Sequence, residues 1–299
     1  MAAKAGRERV TRMRLWAAGR WRAIVTGLCA VVLPSGPGVW AQTPVSLGTA
    51  RVVSLKYEFT VAGLRAFRAE ATLWLDGDRY MVDGRFSKEG IVAALSATFN
   101  GQNRVWGRAS PTGLRPLSGW SLIQFRDDVR TWQVTYRGDG TYDEAHVPSF
   151  TPEPDRIVSA AQKGGAFDPL TAAVAGALTG AGPCDRVYAI FDSKRRFDVT
   201  LRRLGTEPLV AGELPGVTGE ALVCEAVMKR IAGYNPKRMK QDAYERKPPR
   251  LWFATIPGFE RLLPVRMEMP TSFGTVHGRL TRHAVRPMTP EDRPAISGP

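Results

Sequence analysis

Asp127 and Asp128 stand side by side, and a carboxylate pair is the usual equipment for general acid–base work. Neighbouring residues on a strand point to opposite faces, so these two would need a bulge to act together. His277 and His283 share one face of a strand at an even separation. Extended backbone puts them about 20 Å apart, too far to hold one metal. His277, within Val276-His277-Gly278, is left as either a general base or a sheet-surface histidine. The third histidine, His146, forms no spaced set with a cysteine, so no metal site is read. Cys184 has Arg186 nearby, and a nucleophilic thiolate needs such a cation, but it also needs a free thiol. The nucleophile elbow, the paired-histidine zinc helix, the phosphate-binding loop and the dinucleotide fingerprint are all missing. No catalytic residue, metal or cofactor is assigned, and a non-enzymatic protein is the expectation.

The first 41 residues give an address. Lys4, Arg7, Arg9, Arg12, Arg14, Arg20 and Arg22 precede an apolar run from Ala23 to Leu33, then Pro34, Gly36 and Pro37, then the small-residue site Val39-Trp40-Ala41. That order is a secretory signal peptide, cut near Ala41. Its apolar run is short of the roughly 20 residues that span a bilayer. Cys29 follows Leu28 rather than a small residue and is read as filler, not as a lipid anchor. The chain carries +14 overall; without residues 1–41 it keeps 35 basic and 27 acidic residues, a net +8. A basic surface favours anionic partners, and scattered solvated charge is the alternative. Export argues against nucleic acid and for a membrane or cell-wall surface. Lys229, Arg230, Lys237, Arg238, Lys240, Arg246, Lys247 and Arg250 cluster in one stretch, relieved by Asp242 and Glu245. Cys184 and Cys224 survive cleavage; an even count in an oxidising compartment suggests a disulfide, with two separate buried thiols as the alternative.

The elements that must position these groups are strands. Ala69, Ala71, Leu73 and Leu75 alternate with Arg68, Glu70, Thr72 and Trp74, the pattern of a half-buried strand. Asp76-Gly77 turns the chain into Tyr80-Met81-Val82, and Asp139-Gly140 makes a second turn. Further strands are expected at 97–106, 117–125, 131–136, 186–191, 197–204, 222–231, 251–254, 263–269 and 275–283. Residues 148–165 read as loop. One helix is expected, with Asp168 as N-cap, Pro169 first, Leu170–Leu178 apolar almost all round, and Gly180 at its end. It serves as a core plug or as a lid over a cavity. Trp74, Trp106, Trp120, Trp132 and Trp252 fall in strands and either line a groove or pack the sheet. The fold class is therefore mainly β: an antiparallel, strongly curved sheet or open barrel with one internal helix, a single domain over 42–285, and a disordered proline-rich tail over 286–299.

Several segments in order resemble a known family. Tyr57-Glu58-Phe59, Ala62-Gly63-Leu64 and Ala69-Glu70-Ala71-Thr72-Leu73 look like its opening hairpin. Phe167-Asp168-Pro169-Leu170-Thr171-Ala172 is similar to its central helix start. Cys184, the run Phe191-Asp192-Ser193-Lys194-Arg195-Arg196-Phe197-Asp198 and Cys224 resemble its Cys, Phe-Asp-Gly-Arg-Arg-Tyr-Asp, Cys stretch, with Ser193 in place of the turn glycine. Leu263-Pro264-Val265-Arg266 and Phe273-Gly274 resemble its closing strands. The family is the exported proteobacterial group known as DUF3108, a domain of unknown function, and the likeness runs from Val53 to Arg282. It implies a Gram-negative periplasm and a mostly β fold, and it supplies no activity. Asp192, Arg195 and Arg196 form its polar cluster, either a tight turn or an anionic ligand contact; Tyr234 opens the basic stretch that continues through Lys237 and Arg238.

The expectation is a periplasmic envelope protein that binds an amphipathic or anionic component: a lipid, a lipopolysaccharide or a cell-wall fragment. A hydrolase acting on cell-wall or lipid material, or a scaffold, is the alternative. Oligomeric state is not legible.

Overall fold

A computed structural model describes residues 46–90, 93, 99–110, 113–149, 151–179, 182–235, 247–271 and 274–293. Residues 1–41, read above as a signal peptide, lie outside them, as do Gly180, Lys237, Arg238 and the last six residues. Thirteen strands follow in chain order: β1 (Arg51–Val61), β2 (Leu64–Asp76), β3 (Arg79–Lys88), β4 (Phe99–Ser110), β5 (Gly113–Phe125), β6 (Asp128–Tyr136), β7 (Tyr142–Val147), β8 (Arg186–Phe191), β9 (Arg196–Pro208), β10 (Glu220–Ala232), β11 (Arg250–Ile256), β12 (Phe259–Thr271) and β13 (Gly274–Pro287). They form one antiparallel sheet in the order β7-β6-β5-β4-β3-β2-β1-β13-β12-β11-β10-β9-β8. Every ladder but β1–β13 joins sequence neighbours, so hairpin turns build almost the whole sheet.

Among the described residues no ladder closes the sheet. It is nevertheless wrapped around α2 (Pro169–Leu178), which touches β3, β4 and β5 near one edge and β8 at the other. A flat sheet could not offer both ends to one helix. The seam between edges β7 and β8 is filled by side chains and by one loop. Phe191 of β8 meets Trp132 of β6 edge-on at 6.2 Å and Tyr142 of β7 at 5.9 Å. Phe167 pairs in parallel with Ile190, donating its N–H to Ala189 O (2.8 Å) and accepting from Phe191 N–H (2.8 Å).

The stretch read as a loop over 148–165 contains a second, one-turn helix, α1 (Ala160–Lys163), closed by a capping box between Ser159 and Gln162. Four residues are too few to leave a period, which is why the sequence pattern missed it. The stretch read as disordered from Arg286 is ordered through Asp292. Arg286 pairs with Val52 in the β1–β13 ladder, and its guanidinium grips Asp292 at 2.6 and 2.8 Å.

Helix α2 follows its sequence reading. Asp168 Oδ1 accepts the N–H groups of Leu170 and Thr171, each at 2.9 Å, and Pro169 fills the first position. At the other end Arg261 of β12 donates to Leu178 O at 2.7 Å, supplying a cation to the helix C-terminus. Close packing of its flanks depends on two glycines. Gly84 lies under Leu170, where a Cβ would sit 3.2 Å from Leu170 Cδ1, and Gly176 abuts Pro183, where a Cβ would sit 2.6 Å from its Cα. The core is one cluster on the inner face, including Leu55, Leu73, Tyr80, Val82, Val105, Val265 and Leu280, with Leu178 packed into it. Cys184 and Cys224 are joined, with their Cα atoms 5.9 Å apart, tying the segment before β8 to β10.

Candidate functional site

The helix does not fill the hollow. Beside it, against β8 to β12, runs an apolar cleft of about 340 Å³. Ala172, Ala173, Gly176 and Ala177 form its helical wall; Ile190, Val199, Leu201, Ala226, Leu251, Phe253 and Met267 form the opposite one. Small residues on the helix are what keep this space open. Ala173 is exposed although it sits in the middle of an apolar helix.

At the N-terminal end of the helix lies a second cavity of about 750 Å³. Pro169 borders both. Its walls are mixed: Asn103, Ser121, Ile123, Trp132 and Val134 from β4 to β6, Glu153 and Arg156 from the loop, Asp168 and Leu170 from the helix start, and Asp192, Ser193, Lys194 and Arg195 from the β8–β9 turn. An outer chamber of about 480 Å³ shares Ser121, Ile123, Trp132, Ser193 and Lys194 with it and adds Phe125, Arg130 and His146. Both volumes fall within the range of small-molecule sites, roughly 300–1,000 Å³.

The charges here are matched. Asp192 Oδ2 takes Arg195 Nε and Nη2 at 2.9 and 2.6 Å, while its Oδ1 caps the turn by accepting Lys194 N–H (3.2 Å) and Arg195 N–H (2.7 Å). Arg156 pairs with Glu153 at 2.7 Å and Arg130 with Asp128 at 2.6 Å. Burial, and then the neighbouring Arg130, hold the Lys194 ammonium below its ordinary pKa. Asp168 is buried among Thr171 Oγ1 (2.5 Å to Oδ2), Tyr136 and two helix N–H groups; burial raises its carboxyl above the ordinary aspartate range. These carboxylates are engaged by caps and ion pairs.

Of the residues singled out in the sequence, Asp192 and Arg195 line the cavity. Tyr234 stands beside them, its ring 5.9 Å from the Arg195 guanidinium and 5.2 Å from that of Arg230. Arg196 turns away: it donates to Gln162 O (3.0 Å), Phe197 O (2.6 Å) and Asp198 Oδ1 (2.7 Å), and so holds α1 in place. Of the histidines, His146 borders the outer chamber, whereas His277 lies 3.7 Å from Glu268 and His283 Nε2 meets Pro215 O at 2.8 Å, neither lining a cavity described above. Among the described residues no group of three His, Cys, Asp or Glu side chains could hold a metal ion. The five tryptophans do not line one groove: Trp252 is buried in the core. Trp74 and Trp106 register with Met81 on the face opposite Leu73 and Val82, while Trp120, opposite Arg104, and Trp132 border the cavity. Sequence reasoning missed Lys194, Asn103 and Ser121, whose convergence depends on curvature that no local pattern records.

Fold and hollow together define the class: an open β-shell wrapped round one helix, with an apolar cleft on one flank of that helix and a polar chamber at its start. A family model described as a protein of unknown function (DUF3108) matches residues 56–281, well over half of the chain, and the chain belongs to that family. No curated protein matches it.

Proposed function

We propose that this is a non-enzymatic periplasmic protein that holds an amphipathic component of the cell envelope, such as a lipid, a lipopolysaccharide or a cell-wall fragment, inside its curved sheet. The observation that carries the reading is the pair of unlike spaces meeting at Pro169: the apolar cleft suits an acyl chain, and the mixed chamber suits its head. Export rests on the basic, apolar and small order of residues 1–41. Because Arg195, Arg156 and Arg130 each already face a carboxylate, the chamber offers donors and acceptors together. That favours a zwitterionic or hydroxyl-rich head over a bare anion. The hydrolase reading has less support, since Asp168 and Asp192 are committed to caps.

The test is uptake of a fluorescent fatty acid. Wild-type protein is expected to bind it saturably. Ala173→Trp, which fills the cleft from an exposed helix position, is expected to abolish that binding while leaving the melting temperature within a few degrees. Equal binding by both proteins would refute the cleft as the site.

A further inference from the structure

The hairpin joining β5 to β6 ends in an apolar tip beside the cavity mouth. Ile123 is 41 % exposed, Phe125 51 % and Val129 46 %; Leu122 and, on neighbouring β7, Val147 are exposed as well. Register sorts them onto two faces. Leu122 lies opposite Thr131, which lies opposite Val147, and Gln124 lies opposite Val129. Ile123 lies opposite Arg130 and Phe125 opposite Asp128. Direct cross-strand partners share a face, so Leu122, Val129 and Val147 are on one side and Ile123 and Phe125 on the other. Exposed apolar clusters of this kind mark interaction surfaces.

We propose that this tip inserts into the interfacial layer of a lipid bilayer. A protein partner with an ordinary surface would cover one face and leave the other wet; a fluid lipid layer buries both. The charges of the tip cancel, Arg126 and Arg130 against Asp127 and Asp128, with Arg130 paired to Asp128 at 2.6 Å. Insertion is therefore driven by apolar burial rather than by attraction to anionic headgroups. Arg126, 5.5 Å from the Phe125 ring, has the length to keep its guanidinium at headgroup level while the ring goes deeper. Ile123 borders both chambers and Phe125 the outer one, so the docked tip sets the cavity mouth against the bilayer. The purpose of docking rests on the amphiphile-binding reading; docking itself does not.

The experiment is co-sedimentation of the protein, recovered from periplasmic extract, with phosphatidylcholine vesicles at low and high salt. Binding is expected at both, changing less than about twofold with salt. The double variant Ile123→Ser with Phe125→Ser is expected to bind about tenfold or more weakly, since each lost side chain removes buried apolar area. It should still melt like wild type. Val187→Ser, which removes an apolar side chain 63 % exposed on β8, should bind vesicles as wild type does. Four results would overturn the proposal: no binding to phosphatidylcholine; binding only when phosphatidylglycerol is present and only at low salt; full binding by the double variant; or a dimer in sedimentation that the double variant dissociates. Vesicle binding without fatty-acid uptake would count against the cavity alone.

Discussion

Tyr136 reaches from β6 to the start of the helix and meets Asp168 twice. Its hydroxyl accepts the Asp168 N–H at 3.1 Å and donates to Asp168 Oδ2 at 3.3 Å. One phenol thereby ties the sheet near its β7 edge to the helix that the sheet surrounds. Tyr136→Phe should keep the ring packing and lose both bonds. The expected cost is about 1–2 kcal/mol in urea denaturation, more than a surface substitution gives.

Asp168 should also leave a signature in the pH dependence of stability. Burial raises its folded pKa above the unfolded value of about 3.9. Across the window between those two values the folded state binds more protons than the unfolded one, so this group's contribution falls as pH rises. Asp168→Asn keeps a capping oxygen and removes the titration. The stability of wild type relative to Asp168→Asn should therefore increase as pH drops from neutral toward 4. A difference independent of pH would refute the assignment.

Ser193 occupies the β8–β9 turn with φ +74°, a conformation that favours glycine. Non-glycine residues pay roughly 1–2 kcal/mol there, partly recovered because glycine is freer when unfolded. Ser193→Gly should raise stability by about 0.5–1 kcal/mol, read as a higher denaturation midpoint with unchanged slope.

Cys184 and Cys224 are 40 positions apart in the chain. A loop of that size should add about 4 kcal/mol on the chain-entropy model. Thiol labelling of the denatured, unreduced protein should find neither cysteine, and reduction should lower the midpoint. Labelling of both without reductant would contradict the bond.

Local chemistry made much of this fold legible. Period-two patterns marked eleven of the thirteen strands and missed β1 and β7, and Asp168-Pro169 marked the helix start because a cap and a fixed φ are properties of two adjacent residues. The site was legible only where it was local, as in the Asp192–Arg195 turn. Tyr136 and Asp168 are 32 residues apart, and their meeting depends on how far the sheet curls. The tryptophans show a different limit. Trp74 alternates with Leu73 and Leu75, so period alone separates their faces but does not say which face turns inward. Bulges such as that between Lys56 and Tyr57 then break the parity along the strand.

The central claim is that the hollow beside the helix holds a guest. Native mass spectrometry of the protein purified from the cells that make it tests it most directly. A population heavier than the polypeptide by the mass of one amphiphile, released on denaturation and missing from Ala173→Trp, is the expected result. A bare polypeptide mass under gentle conditions, unchanged after incubation with lysophospholipid or fatty acid, would contradict it.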